Sequence, residues 1–378
     1  MQYRSYGTIG GDQISALGFG CMRLPETQDG DDWRIDEDIA IPLLRDAAAR
    51  GVNYFDTGYY YCHRNSEATV GRALAPIREQ VLISTKLPMG EVRKTADYRR
   101  WLEQSLQILG TNYVDYYHFW ALDQKTFDEK VIGLGLLDEA RKAKDQGLIR
   151  HISFSFHDKA EVIRSIIDRG EIFETMLVQY NLLDRSNEEM IAYAAGKGLG
   201  VAAMGPVGGG RLAAPTRLGQ KLTNRAALST YELAFRFVLG NPNISCALSG
   251  MGSADMLQKN LAVANDETPL TADEWRQITE SLEQLRRFSD LYCTGCAYCQ
   301  PCPAAIDIPK IFGCYTDHNV YELHAYAQKQ FADYLKNGGK TIQDCMQCGF
   351  CERKCPQHLQ VRAQLERVQG VLEGIAIA

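Results

Sequence analysis

Short β-rich apolar runs alternate with amphipathic helical stretches up to about residue 265, and few folds can use that alternation. Strand, helix, strand is the pattern of βαβ units, which build parallel sheets with helices outside. Eight runs read as strands: ALGFGC (16–21), VNYFDT (52–57), VLISTKL (81–87), YVDYYHFW (113–120), LIRHISFS (148–155), TMLVQYN (175–181), LGVAAMG (199–205) and ISCALSG (244–250). Between the first two, RIDEDIAIPLLRDAAARG places Ile39, Leu43, Leu44 and Ala47 on one helical face and stops at Gly51, a C-cap residue. Eight parallel units close most simply into a (β/α)8 TIM barrel. An open doubly wound sheet is the rival. It ranks lower because no Gly-x-Gly-x-x-Gly follows the first strand and polar residues are spread over many strand ends. Residues 1–14, with Gly7, Gly10, Gly11 and Asp12 as turn residues, predict a hairpin capping the barrel's bottom.

A barrel takes roughly 250 residues, so a chain of 378 has material for a second domain. Its cysteines show what that domain is for. Cys21, Cys62, Cys246 and Cys314 stand singly, and the other eight form two runs: Cys293, Cys296, Cys299, Cys302 and then Cys345, Cys348, Cys351, Cys355, each closed by a proline. Both runs read as bacterial ferredoxin motifs, in which three cysteines wrap one cluster and the fourth crosses to the other. That pattern assigns Cys293, Cys296, Cys299 and Cys355 to one 4Fe-4S cluster and Cys345, Cys348, Cys351 and Cys302 to a second. The first run departs in having two residues, not three, before its last cysteine. Zinc is the alternative, although zinc sites usually use separated Cys-x-x-Cys pairs. Thr271 and Glu274 form a capping-box pattern ahead of a helix that leads into the first run, and 311–337 reads as helical. The predicted organisation is a barrel over 1–285 and a small, mainly α-helical ferredoxin-like iron-sulfur domain over 286–378.

A net charge of −6 offers no basic footprint for nucleic acid. No stretch approaches eighteen uninterrupted apolar residues, and MQYRSYGTIGGDQ lacks the charged and apolar regions of an export signal, so a cytoplasmic chain without a membrane partner is expected.

Reacting groups in a barrel come from C-terminal strand ends. After the second strand stand Asp56, Thr57, Gly58, Tyr59, Tyr60 and Tyr61, and the third ends in Ser84-Thr85-Lys86. A tyrosine near a lysine and an aspartate can have its phenol acidified by the ammonium and exchange a proton near neutral pH. FDTGYYYCHRNSE and ISTKL resemble the corresponding segments of the aldo-keto reductase family, specifically its bacterial branch with a C-terminal ferredoxin-like domain. The resemblance implies an NAD(P)H-dependent oxidoreductase acting on a carbonyl of a small molecule, with Tyr61 as general acid, Lys86 tuning it and Asp56 paired to Lys86. The family's histidine falls five residues after the fourth strand's aspartate, and here that position is Trp120, with His118 about 6.6 Å deeper at roughly 3.3 Å per residue. Trp120 can donate one N–H and cannot titrate. For His118 the expectation is a satisfied core histidine.

The same resemblance implies a cofactor site for NADPH or NADH. Gly20, Cys21 and Met22 stand at the end of the first strand. Ser155 and Gln179 lie where the family contacts the nicotinamide amide, although Gln179 is two positions from the usual glutamine, where Leu177 stands. Tyr180 would be the stacking platform. After the seventh strand Gly205, Val207, Gly209 and Arg211 belong to a glycine-rich loop suited to a pyrophosphate. Gly250, Gly252, Ser253 and Asn260 resemble the segment at the adenosine end. NADPH-specific relatives carry Lys and Arg at the positions of Gly250 and Met256; Arg211, Lys259 and Ser253 are the nearest substitutes here.

Three functions are open at this point: a hydride-transferring reductase; a cluster-coupled electron-transfer enzyme working with a ferredoxin, a flavin or another redox partner; and a redox-sensing interaction protein with structural clusters. Nicotinamide binding separates the first from the third. Bound flavin or cluster reduction by a physiological donor would favour the second.

Overall fold

The computed structural model describes residues 1–9, 11–30, 32–213, 219, 222–223, 228–266, 268–285, 293–319 and 324–373. They fall into two compact units, one of Met1–Asn181, Arg185–Pro206 and Phe235–Pro269, the other of Leu182–Asp184, Val207–Ala234 and Leu270–Ala378.

The first unit opens with an antiparallel hairpin of β1 (Tyr3–Ser5) and β2 (Gln13–Ser15), followed by β3 (Leu17–Gly20). A second hairpin, β4 (Glu26–Asp29) and β5 (Asp32–Ile35), comes next. Then follow β6 (Tyr54–Asp56), β7 (Leu82–Leu87), β8 (Val114–Leu122), β9 (Ile149–Phe156), β10 (Thr175–Gln179), β11 (Gly200–Met204) and β12 (Cys246–Ser249). Eight of them close in the order β10-β11-β12-β3-β6-β7-β8-β9, all pairs parallel. Every expected strand is present, six with trimmed ends and β8 and β9 starting one residue later and running on to Leu122 and Phe156, and closure removes the open-sheet rival.

The first hairpin does cap the bottom. Gly7 bridges Leu199 at the start of β11, and a Cβ there would lie 2.5 Å from Gly200 N. Tyr6, fully buried, meets the rings of Tyr54 and Tyr116 at 5.7 and 5.0 Å and plugs the barrel. The helix Glu37–Ala49 buries Ala40, Leu43, Leu44 and Ala47, and Gly51 beyond its end has φ +95°. Ile39 is a correction: it lies at the edge of that stripe and is 49% exposed.

In the second unit Thr271 and Glu274 cap the helix Ala272–Leu285 reciprocally, Thr271 N donating to the carboxylate at 2.7 Å and Glu274 N to the hydroxyl at 3.2 Å. Helices Ile308–Asn319, His324–Lys336 and Val361–Leu372 share a core that includes Ile311, Phe312, Phe331, Leu365 and Val368. The described residues of 311–337 are therefore mostly helical, as the sequence suggests. Among the described residues no helix is long and apolar enough to cross a membrane.

Candidate active site

Asp56 ends β6 and is registered with Ser84 of β7. Side chains alternate along a strand, so Ser84 and Lys86 share the inward face. Lys86 Nζ donates to both Asp56 oxygens at 2.7 Å and to Thr57 O at 2.6 Å, while Ser84 Oγ donates to Asp56 Oδ1 at 2.7 Å. Three acceptors for three N–H bonds satisfy the ammonium completely. Burial pulls the Lys86 ammonium below its ordinary value, and Asp56 pulls it back up.

Lys86 reaches the mouth through an aromatic ring. Its Nζ lies 4.6 Å from the centroid of half-buried Tyr61, which meets Trp120 edge to face at 5.4 Å. Gly58 lies beside both, where a Cβ would be in ordinary contact with Lys86 Cδ and the Trp120 ring at 3.5 Å. The structure thus brings together the four residues proposed from sequence. Tyr60 adds a tilted contact to Trp120 at 5.0 Å, and Tyr59 packs on Trp101.

The backbone after Tyr61 is unusual. Cys62, His63 and Arg64 have φ of 47°, 52° and 72°, a left-handed run of non-glycine residues costing on the order of 1 kcal/mol each. Its partners explain how it persists. The Cys62 thiol donates to Cys21 O and Met22 O, Asn65 Nδ2 to Cys62 O and Trp33 O, and His63 pairs with Glu26 at 2.7 Å while stacking on Trp33. The β4–β5 hairpin is thus a brace for the turn that presents Tyr61. Burial pushes the Cys62 thiol up to about 11, so it is a thiol and not a nucleophile.

His118 is fully buried and registered with Lys86, its Nε2 3.5 Å from Tyr54 Oη and its Nδ1 without a hydrogen-bond partner. Burial and then Lys86 hold its pKa well below the usual value. It is a neutral core histidine, but only partly satisfied, which corrects the expectation of a satisfied one.

The residues proposed for the cofactor are less uniform. Gly20 packs against the end of β12, where a Cβ would meet Ser249 C at 3.4 Å; Cys21 is buried, its pKa raised well above normal by burial, and Met22 is exposed. Ser155 Oγ accepts from Ala121 N at 2.7 Å. Gln179 lies against Gly205, whose φ of +66° and missing Cβ leave room for the Gln179 amide. Tyr180 is a correction. Its ring is fully buried and stacked on Phe237, and its hydroxyl donates to Glu188 at 2.7 Å, so no ring face is open for stacking in this arrangement.

In the loop after β11, Gly208, Gly209 and Gly210 have φ of 57°, 71° and 100°, Gly209 is exposed, and Val207 O accepts from Gly210 N and Leu212 N. The Arg211 side chain lies outside the described residues. Gly250 is exposed and Gly252 half-buried; Ser253 caps the helix Ala254–Asn265, and Asn260 is tied inward to Ser249 Oγ at 3.0 Å. Lys259 pairs with Asp255.

Sequence reasoning missed Arg23, whose side chain runs beside Gly250: a Cβ there would lie 3.5 Å from Arg23 Cβ and 3.8 Å from Cδ. Its place directly after Cys21-Met22 was the available signal. Ser84 was also missed, although its two-residue offset from Lys86 already puts both on one face.

In the second unit the two cysteine runs enclose two cavities. One is lined by Cys293, Cys296, Cys299 and Cys355, the other by Cys302, Cys345, Cys348 and Cys351. Each takes three thiols from one run and the fourth from the other. Four thiols around an apolar cavity fit an iron-sulfur cluster.

Residues 16–283 match the aldo/keto reductase family, and residues 292–360 match a 4Fe-4S dicluster domain. L-galactose dehydrogenase of Arabidopsis thaliana is 25% identical over 301 residues, covering 72% of this chain and 91% of that protein. The uncharacterized oxidoreductase YqkF of Bacillus subtilis is 26% identical over 322 residues, covering 75% and 97%. Among solved structures, the holo form of an aldo-keto reductase from Bacillus halodurans aligns with a TM-score of 0.64 at 26% identity, covering 74% of this chain and 96% of its own. The chain belongs to the aldo/keto reductase family and is an NAD(P)-dependent oxidoreductase that carries a 4Fe-4S dicluster domain.

Proposed function

We propose that the enzyme reduces a carbonyl of a small molecule with Tyr61 as the proton donor. The observation that carries this reading is the Lys86 ammonium, fixed by Asp56 and Thr57 and held 4.6 Å from the Tyr61 ring centroid. A bound nicotinamide supplies the hydride. The phenol gives its proton to the carbonyl oxygen, and the ammonium beside it stabilises the phenolate left behind. Asp56 holds the ammonium in place and Ser84 orients Asp56. Tyr59, Tyr60 and Trp120 favour a substrate with an apolar, flat face. Arg23 beside Gly250 supports NADPH, the guanidinium standing in for the lysine that NADPH-specific relatives carry at that position.

The same reading assigns the barrel to 1–285 and two clusters to 286–378, one on Cys293, Cys296, Cys299 and Cys355 and one on Cys302, Cys345, Cys348 and Cys351. Ile308, which lines both cavities, favours a second role: bound there, the two clusters would supply one-electron transfer to a ferredoxin-like partner.

The test is anaerobic titration of the cluster-loaded protein with NADPH and NADH, followed by turnover on a panel of aromatic aldehydes and ketones. Micromolar NADPH binding is expected, weakened in Arg23→Ala while NADH binding is unchanged. Tyr61→Phe should bind cofactor normally and lose turnover by about 10²–10⁴-fold. Binding of neither cofactor, or full turnover by Tyr61→Phe, would sink the reading.

A further inference from the structure

The two halves of the cluster-binding segment repeat one another in backbone. Gly295 and Gln347, Ala297 and Gly349, and Ala305 and His358 are left-handed at matching offsets from the cysteines. The helices Ile308–Asn319 and Val361–Leu372 each begin six residues after the last cysteine of a run, Cys302 and Cys355. Matching these offsets pairs Pro309 with Arg362 and Phe312 with Leu365. Each pair faces a cavity: Pro309 and Phe312 the one enclosed by Cys293, Cys296, Cys299 and Cys355, Arg362 and Leu365 the one enclosed by Cys302, Cys345, Cys348 and Cys351. The repeat is therefore an internal control, because one half presents a ring with no N–H where the other presents a guanidinium.

Arg362 is the one charged residue lining either cavity among the described residues. Its Nη1 donates to Gln347 O at 3.1 Å and its Nη2 to Glu352 at 2.6 Å, which fixes the plane of the fork. Its Nε is buried and has no hydrogen-bond partner. A buried donor left unpaired is costly unless something occupies the space it lines. A second guanidinium stands close by: Arg353 Nη1 donates to Cys348 O at 2.9 Å, and a Cβ on Gly349 would lie 3.2 Å from it. Among the described residues no charged side chain lines the other cavity.

We infer that Arg362 makes the two clusters unequal, donating through Nε–H to the cluster held by Cys302, Cys345, Cys348 and Cys351 and rendering it the easier of the two to reduce. Reduction adds one negative charge to a cluster, and hydrogen bonds to its sulfurs and nearby positive charge favour the reduced form. With both clusters in place, an electron from a one-electron donor such as a reduced ferredoxin would settle on the half held by Cys302, Cys345, Cys348 and Cys351, the donor being oxidised, that cluster reduced and no proton transferred, so a partner that collects it would dock on that half. The inference rests on the two-cluster reading.

The experiment is an EPR-monitored redox titration of anaerobically purified, full-length protein, poised with dithionite and mediators, after iron and sulfide analysis. Two couples are expected. Arg362→Met should lower one of them by at least tenfold in its equilibrium constant, 59 mV for a one-electron couple, and leave the other in place. The couple that moves should be the one altered in Cys345→Ser. Glu352→Gln, which keeps the arginine and removes its counter-charge, should raise the same couple and so provides a second reading if Arg362→Met loads poorly. Iron for a single cluster would sink the two-cluster reading and the asymmetry with it. Iron for both clusters, with neither couple moved or both moved equally, would overturn the Arg362 assignment alone.

Discussion

The two ends of the barrel both hold buried charge, and they use it differently. At the bottom, Asp115 accepts from Arg78 at 2.7 Å, Arg150 at 2.8 Å and Ile83 N at 2.8 Å, and both guanidiniums flank the Tyr113 ring at 4.1 and 4.2 Å. His151 sits between Glu174 at 2.7 Å and Asp12 at 3.1 Å and stacks on Tyr116. Every member answers another, and the cluster closes on itself. At the top, Asp56 and Lys86 are equally buried, but the ammonium underlies a tyrosine that is itself half-exposed at the mouth. A buried ion pair alone does not mark a catalytic centre; what sets the top apart is a phenol leaning on that pair and open to solvent.

The largest expected effect separates the ends directly. Lys86→Met leaves Asp56 buried without its cation, a loss of about 3–5 kcal/mol in stability, and removes the charge beside Tyr61, a further 10²–10⁴-fold in kcat/KM of the folded enzyme. Asp115→Ala strips two arginines of their partner and should destabilise by a comparable 3–5 kcal/mol, yet leave kcat/KM per folded molecule unchanged. Denaturant titration and turnover on the same samples check both. If Asp115→Ala lost turnover as Lys86→Met does, the division between a structural bottom and a chemical top would fail.

A pH series sharpens the comparison. Burial disfavours protonated His151, but Asp12 and Glu174 outweigh it and raise the imidazole to about 9. A folded value above the unfolded one means that the contribution is complete below about pH 6.5 and is lost as pH rises through 9. The carboxylates of Asp12 and Glu174 are held below their ordinary values by His151, so their contribution fades at acid pH. Lys144, at 2.5 Å from Glu174, and Tyr116, donating to Asp12 at 2.6 Å, complete the surroundings. His151→Gln should flatten the fall in stability between neutral pH and pH 10 by roughly 3 kcal/mol. An unaltered alkaline profile would show that another group governs it.

The barrel was legible because strand-helix periodicity repeats eight times and each core strand announces itself in apolar residues. The two cysteine-lined cavities were legible because cysteine spacing groups the thiols by loop, and the linings do take their fourth thiol from the opposite run. The β4–β5 hairpin was not: Glu26, Gln28, Asp32 and Arg34 carry no apolar alternation, and its function lies in bracing His63 across sequence. Arg23 and the burial of Tyr180 were equally hidden, since both depend on how neighbouring strand ends pack and not on residue type. His118 and Trp120 show the boundary. Periodicity correctly put them on one face at different depths, while the unpaired His118 Nδ1 needed coordinates.

The smallest effect concerns Trp120, and it tests where the top cluster ends. Its ring is 7% exposed and contacts both Tyr60 and Tyr61. An edge-to-face pair contributes about 0.5–1.5 kcal/mol beyond burial. Trp120→Phe keeps an aromatic face toward Tyr61 and removes the indole N–H, so kcat/KM should fall by no more than about tenfold, with an unchanged pH profile. Trp120→His places a titratable group there and should add an ionisation near 6.5 to that profile. If Trp120→Phe instead cost a hundredfold in kcat with KM unaltered, the indole N–H would be donating to the reacting oxygen. The top end would then be a two-donor site, in which the neutral indole takes the place that a titratable imidazole holds in relatives.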